Sequence, residues 1–159
     1  MLRLTKREVR QISADPVEGP RLVRFFRRLS EYQQDSGSSK AALREAYRRL
    51  PPRVAEALAV TPRVHSTLYR GDDGQSTDPA TSWTTSRSLA RFFGHYVFSA
   101  RDLQGYNGSV STAKAYALAD NLPSLEAYPL GDDEGEVILF DVTWKPMTRL
   151  QMEASRRAD

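Results

Sequence analysis

Three short stretches in the later part of the chain carry side chains with the reach and charge for chemistry. Leu68-Tyr69-Arg70-Gly71 ends a β-like run in a guanidinium followed by a residue without a side chain. Ser82-Trp83-Thr84 places two hydroxyls on one side of an expected strand and an indole on the other. Glu134-Gly135-Glu136 sets two carboxylates two residues apart, directly before the apolar run Val137-Ile138-Leu139-Phe140. A guanidinium is a planar, permanently charged fork for phosphate or carboxylate. A carboxylate fixed at the start of a strand can stabilise positive charge as it develops and can grip a hydroxyl. The hydroxyls suit positioning better than nucleophilic attack, because no neighbouring His or Lys is an evident activator.

The elements that must hold these residues follow from local pattern. His65–Arg70, Thr81–Thr85, Tyr96–Ala100, Ser109–Ala117, Glu136–Val142 and Met147–Met152 read as strands, short and rich in β-formers, between Gly, Asp, Asn and Pro. Arg87 to Phe93 reads as a short helix with Leu89, Ala90 and Phe93 on one face. Trp83, alternating away from Ser82 and Thr84, is expected in the core. Residues 1–60 read differently. Leu22, Phe25, Phe26, Leu29 and Tyr32 form an apolar helical stripe, with Pro20 suited to its start. Asp35-Ser36-Gly37-Ser38-Ser39 is a break, after which Ser39 is placed to cap a helix carrying Leu43, Ala46, Tyr47 and Leu50. Pro51-Pro52 ends it, and a third helix holds Val54 and Leu58. The fold class expected is therefore α+β: a helical segment at 1–60, then a strand-rich body at 61–159.

Composition narrows the chemistry further. The 159 residues contain no cysteine, which excludes disulfides, thiolate metal sites and a cysteine nucleophile. Two histidines, His65 and His95, make a His-built metal site or triad unexpected. Asp72-Asp73 and Asp132-Asp133 are adjacent pairs in turn-like segments, so no metal is expected. Apolar runs are far shorter than the roughly 20 residues that span a bilayer, and no membrane partner is expected. The N-terminus turns charged before an export signal could form. The expected location is the cytoplasm, or a target cell reached without a cleavable signal.

Charge is unevenly distributed. Residues 1–60 hold thirteen Lys and Arg against seven acids, whereas residues 120–141 hold seven acids and no base. Solvated faces and a partner-binding surface are both consistent with this pattern.

In order and spacing, Arg70-Gly71, Ser82-Trp83-Thr84 with Ala90 and Phe93 beyond it, and Glu134-Gly135-Glu136 opening an apolar strand resemble the arginine–serine–glutamate signature of mono-ADP-ribosyltransferases, in their toxin-like branch. Singly each piece is common; the specificity lies in their combination. The resemblance covers about residues 64–145. It implies an ADP-ribosyltransferase-like split β-sandwich of mostly antiparallel strands, with NAD as substrate and no Rossmann glycine fingerprint. Gly71-Asp72-Asp73-Gly74 indeed lacks that fingerprint.

By the resemblance, Glu136 stabilises the ribosyl cation, Ser82 holds Glu136, and Arg70 receives the dinucleotide. Gly71 lets the backbone approach the nicotinamide carboxamide, and Thr84 is the second hydroxyl of its strand. Glu134 would bind and aim an arginine acceptor, with the acidic stretch Asn121 to Asp133, including Tyr128, meeting the target.

The implied activity is transfer of ADP-ribose to a macromolecule, most simply arginine on a protein. ADP-ribosylation of nucleic acid, with the basic helices holding phosphates, and NAD hydrolysis are alternatives. A non-catalytic basic module using Arg21, Arg24, Arg27 and Arg28 is the alternative from another class. The helical third could cap the cleft, meet the target, bind an inhibitor or antitoxin, or bury a sheet edge.

Overall fold

The structure is a computed structural model, and it describes residues 4–60, 68–122 and 135–156. The chain divides into two units, Met1–Ala59 with Thr112–Asp133, and Val60–Ser111 with Glu134–Asp159.

The first unit is helical. Helix α1 (Lys6–Ala14) starts in a capping box: Glu8 N–H donates to Thr5 Oγ1, and Thr5 N–H donates to the Glu8 carboxylate. It buries Val9 and Ile12. Asp15 then accepts from the backbone N–H groups of Val17 and Glu18, both at 2.8 Å, and so caps the opening of α2 (Glu18–Gln34). The expected stripe is the buried face of α2: Leu22, Phe25, Phe26, Leu29 and Tyr32 are each at most 2% exposed. Pro20 sits in the first turn, where its missing N–H has no helical acceptor to lose.

Helix α3 (Ser36–Arg48) begins earlier than expected. Ser39 is not its cap; its hydroxyl donates to the Asp35 carbonyl four residues back, at 2.6 Å. Pro52 opens α4 (Pro52–Leu58), which buries Val54 and Leu58.

The second unit is built on five strands: β1 (Tyr69–Asp72), β2 (Ala80–Thr84), β3 (Tyr96–Ser99), β5 (Ser109–Ser111) and β6 (Glu136–Phe140). Their order is β3-β1-β2-β6-β5, and every pair is antiparallel. A two-stranded sheet joins β4 (Leu103–Gly105) to β7 (Thr143–Trp144). Leu68, Trp83, Phe98, Val137 and Leu139 lie on one face of the five-stranded sheet. They form a buried cluster with Val60 and Leu103, and Trp144, Met147 and Met152 pack against it. Trp83 is 1% exposed, in the core as expected.

Two stretches expected as strands are different. Ser109–Ala117 leaves the sheet after Ser111 and becomes α6 (Thr112–Ala119), in which Thr112, Ala115 and Leu118 recur at helical spacing and are buried. This helix belongs to the first unit, where Tyr116 OH and Gln33 Nε2 are 3.0 Å apart and Lys114 donates to the Ala59 carbonyl. Four alanines in eight residues favour helix once the β-branched Val110 is passed. Met147–Met152 likewise contains the start of helix α7 (Arg149–Arg156). Thr148 and Gln151 exchange side-chain and backbone hydrogen bonds and cap it, and Met152 reaches the core cluster.

Among the described residues no helix is long and apolar enough to cross a membrane, and no cluster of three potential metal ligands occurs.

Candidate active site

Pairing register decides which of the expected residues share a face. Tyr69 pairs with Thr84 across β1 and β2, and Thr84 pairs with Glu136 across β2 and β6. Tyr69, Thr84 and Glu136 therefore form one row across three strands. Ser82 pairs with Ile138, which makes it the diagonal neighbour of Glu136 on the same face. Gly71, two residues from Tyr69, is on that face too. It is the face opposite the Trp83 cluster.

Glu136 is half-buried and begins β6. Gly135 before it has φ +69, and a Cβ there would stand 2.7 Å from Thr85 Oγ1. Glycine thus permits both the left-handed turn and the close passage of the chain beside the end of β2. Glu134, Tyr128, Asp132 and Asp133 lie outside the described residues, as does His65.

Arg70 is placed differently from Ser82 and Glu136. Its strand partner is Phe98, so alternation directs its Cβ to the Trp83 side. The guanidinium turns across β1 toward β2. Nη1 donates to the Ser82 carbonyl at 2.9 Å, and Nε donates to Asp72 Oδ2 at 2.9 Å. Among the described residues, strand β1 pairs with β3 along four residues but with β2 at Tyr69 alone. Beyond that pair, Arg70 supplies the Ser82 carbonyl with a donor in place of a ladder N–H. The Arg70–Asp72 pair is mostly buried, with side chains 19% and 17% exposed. Two of the guanidinium donors expected to meet a dinucleotide are therefore engaged by the protein itself.

Gly71 is buried, and its missing side chain is required by packing. A Cβ would stand 1.8 Å from the Ala90 carbonyl oxygen, at the end of helix α5 (Arg87–Ala90). Thr84 Oγ1 accepts from Ser86 N–H, and Ser86 Oγ accepts from Leu89 N–H, so these hydroxyls end β2 and cap α5.

Phe93 corrects an expectation. The helix closes at Ala90, and Phe93 is 66% exposed and Phe92 84% exposed. The cause lies one residue on. Gly94 passes so close to β1 that a Cβ would be 2.3 Å from Asp72 N, and the chain must turn back there to form β3. The turn carries both phenylalanines outward. Asp73 holds this return by accepting from His95 N–H at 2.9 Å.

Arg87 is a residue that the sequence reading passed over. It opens α5, and its guanidinium carbon stands 5.5 Å from the centre of the Tyr69 ring. The only local signal was a basic residue just after a Ser-x-Thr strand, which nothing nearby in sequence connects to Tyr69.

Compared with protein-family profiles, curated proteins and solved structures, the chain matches none of them.

Proposed function

We propose that the chain is a mono-ADP-ribosyltransferase that uses NAD as substrate, and that its strand-rich unit is the split β-sandwich of that family. One observation carries the reading. Residues 70, 82 and 136 lie on three adjacent strands, Arg70 bonded to Ser82 and Ser82 diagonal to Glu136. The short β1–β2 pairing and the second, two-stranded sheet suit a split sandwich.

In this reading the bond between ribose C1′ and the nicotinamide nitrogen breaks, and its electron pair returns to the nicotinamide, which leaves neutral. Positive charge develops on the ribose, and the Glu136 carboxylate stabilises it. An acceptor nitrogen then forms the new bond at C1′ and gives up a proton. A guanidinium hardly loses its proton in water, so a base must take that proton as the bond forms. By the resemblance Glu134 binds and aims the guanidinium of an arginine on a protein, the acceptor proposed, and its carboxylate takes that proton. Nucleic acid and water are the competing acceptors.

The test is nicotinamide release from NAD, followed by chromatography, with ³²P-labelled NAD offered to agmatine, to protein and to RNA. Wild type releases nicotinamide and labels the guanidino acceptor. Glu136→Gln lowers release by about 100-fold or more, as removal of a transition-state stabiliser does, with an unchanged thermal melt. A wild type that leaves NAD intact with every acceptor overturns the assignment, and the reading as a basic binding module then takes its place.

A further inference from the structure

Arg87 stands on the Glu136 face. Its guanidinium lies over the ring of Tyr69, and Tyr69, Thr84 and Glu136 form one row across the sheet. Two strand spacings separate Tyr69 from Glu136, about 10 Å. That interval suits one ribose and the reach of two side chains. The guanidinium carbon lies within cation–π range of the ring, 5.5 Å from its centre, an interaction that holds the cation without using its hydrogen-bond donors.

Its hydrogen bonding contrasts with that of Arg70. Arg70 Nε and Nη1 are both met, by Asp72 and by the Ser82 carbonyl. Arg87 Nε is buried without a hydrogen-bond partner among the described residues. The residue is only half-buried, so part of the group remains reachable. A permanent cation with an unmet donor, seated at the Tyr69 end of the row that holds Glu136, lacks an oxyanion.

We propose that Arg87 is the phosphate-binding cation of this face and takes the pyrophosphate of the dinucleotide, whereas Arg70 is a positioning residue that ties β1 to β2. The proposal rests on the reading of the Glu136 face as the NAD cleft. Tyr69 is the seat of the cation: it fixes the guanidinium by its ring and leaves the donors to the ligand.

The experiment measures binding by calorimetry and turnover by nicotinamide release. NAD is titrated into Glu136→Gln protein, to avoid breakdown, with and without Arg87→Gln; ADP and adenosine are titrated into wild type and Arg87→Gln. Arg87→Gln weakens NAD and ADP binding by about 10- to 100-fold, the value of a charge-assisted hydrogen bond or two. Adenosine, which has no phosphate, is unaffected. Arg87→Lys keeps part of the binding, and Tyr69→Leu, which keeps the charge and removes its seat, loses an intermediate amount. In turnover Arg87→Gln raises KM for NAD more than it lowers kcat. These two milder variants carry the test if Arg87→Gln does not fold.

A folded Arg87→Gln protein that binds ADP and NAD as wild type does, and releases nicotinamide at the same KM, overturns the proposal and leaves the role of Glu136 standing. Loss of ADP binding in Arg87→Gln, in a chain whose wild type never breaks down NAD, supports the phosphate site and overturns the enzymatic reading instead. A wild type that binds neither ADP nor NAD overturns both.

Discussion

The middle residue of Glu134-Gly135-Glu136 has φ +69, and a side chain there would meet Thr85 Oγ1. Left-handed backbone costs a residue with a Cβ about 1–2 kcal/mol, and the contact adds to it. Gly135→Ala is therefore expected to lower the melting temperature by several degrees, and to reduce nicotinamide release by about 10-fold through displacement of Glu136. A thermal melt and a turnover assay on the same sample check both. A variant with normal stability and normal turnover would show that the backbone here tolerates a side chain. In sequence, Gly135 was legible as the middle of a Glu-x-Glu spacing, but its conformation depends on Thr85, fifty residues earlier, and was not. The same limit applies to Arg70. Its position at the end of a strand was readable, yet its acceptor on Ser82 depends on where β1 and β2 part.

Among the elements, α1 and α2 are joined by the carboxylate of Asp15. The backbone N–H of Glu18, then that of Val17, holds its carboxyl below the ordinary aspartate value of 3.8. A folded-state value below the unfolded one means that the cap stabilises fully above about pH 4 to 5, and that this contribution fades as pH falls through the lowered value. Asp15→Ala is thus expected to melt below wild type at pH 7, with the gap closing at acid pH. Thermal melts from pH 7 to pH 2.5 check this; a gap that stays constant would remove the carboxylate from its capping role. The pattern behind α2 was fully local: five apolar residues at helical spacing lie on its buried face. Helices α6 and α7 were less readable because local and non-local preferences compete. Val110 and Ser111 do belong to a strand, and the alanine-rich run beyond Ser111 continues as helix, where Thr112, Ala115 and Leu118 are buried. Phe93 obeyed helical spacing from Leu89 and Ala90, but the approach of Gly94 to Asp72 ended the helix before it.

At the scale of the whole molecule, the strand-rich unit is assembled from two separate lengths of chain. Strand β6 lies between β2 and β5, with Ala80 against Phe140 and Ser109 against Leu139. The ladder with β2 thus joins positions roughly 50 to 60 apart in sequence, which makes it slow to form because a long loop must close first. During synthesis the ribosome delivers β1, β2, β3 and β5 before the segment that completes the sheet, and Glu136 is the first residue of that segment. Stopped-flow refolding is expected to show the recovery of nicotinamide release in the slowest major phase, together with the burial of Trp83 against Val137. For the activity proposed above, a nascent chain carries Glu136 in an unassembled and harmless form, and a cell making the protein is exposed to that activity only after translation has passed the final strand of the sheet.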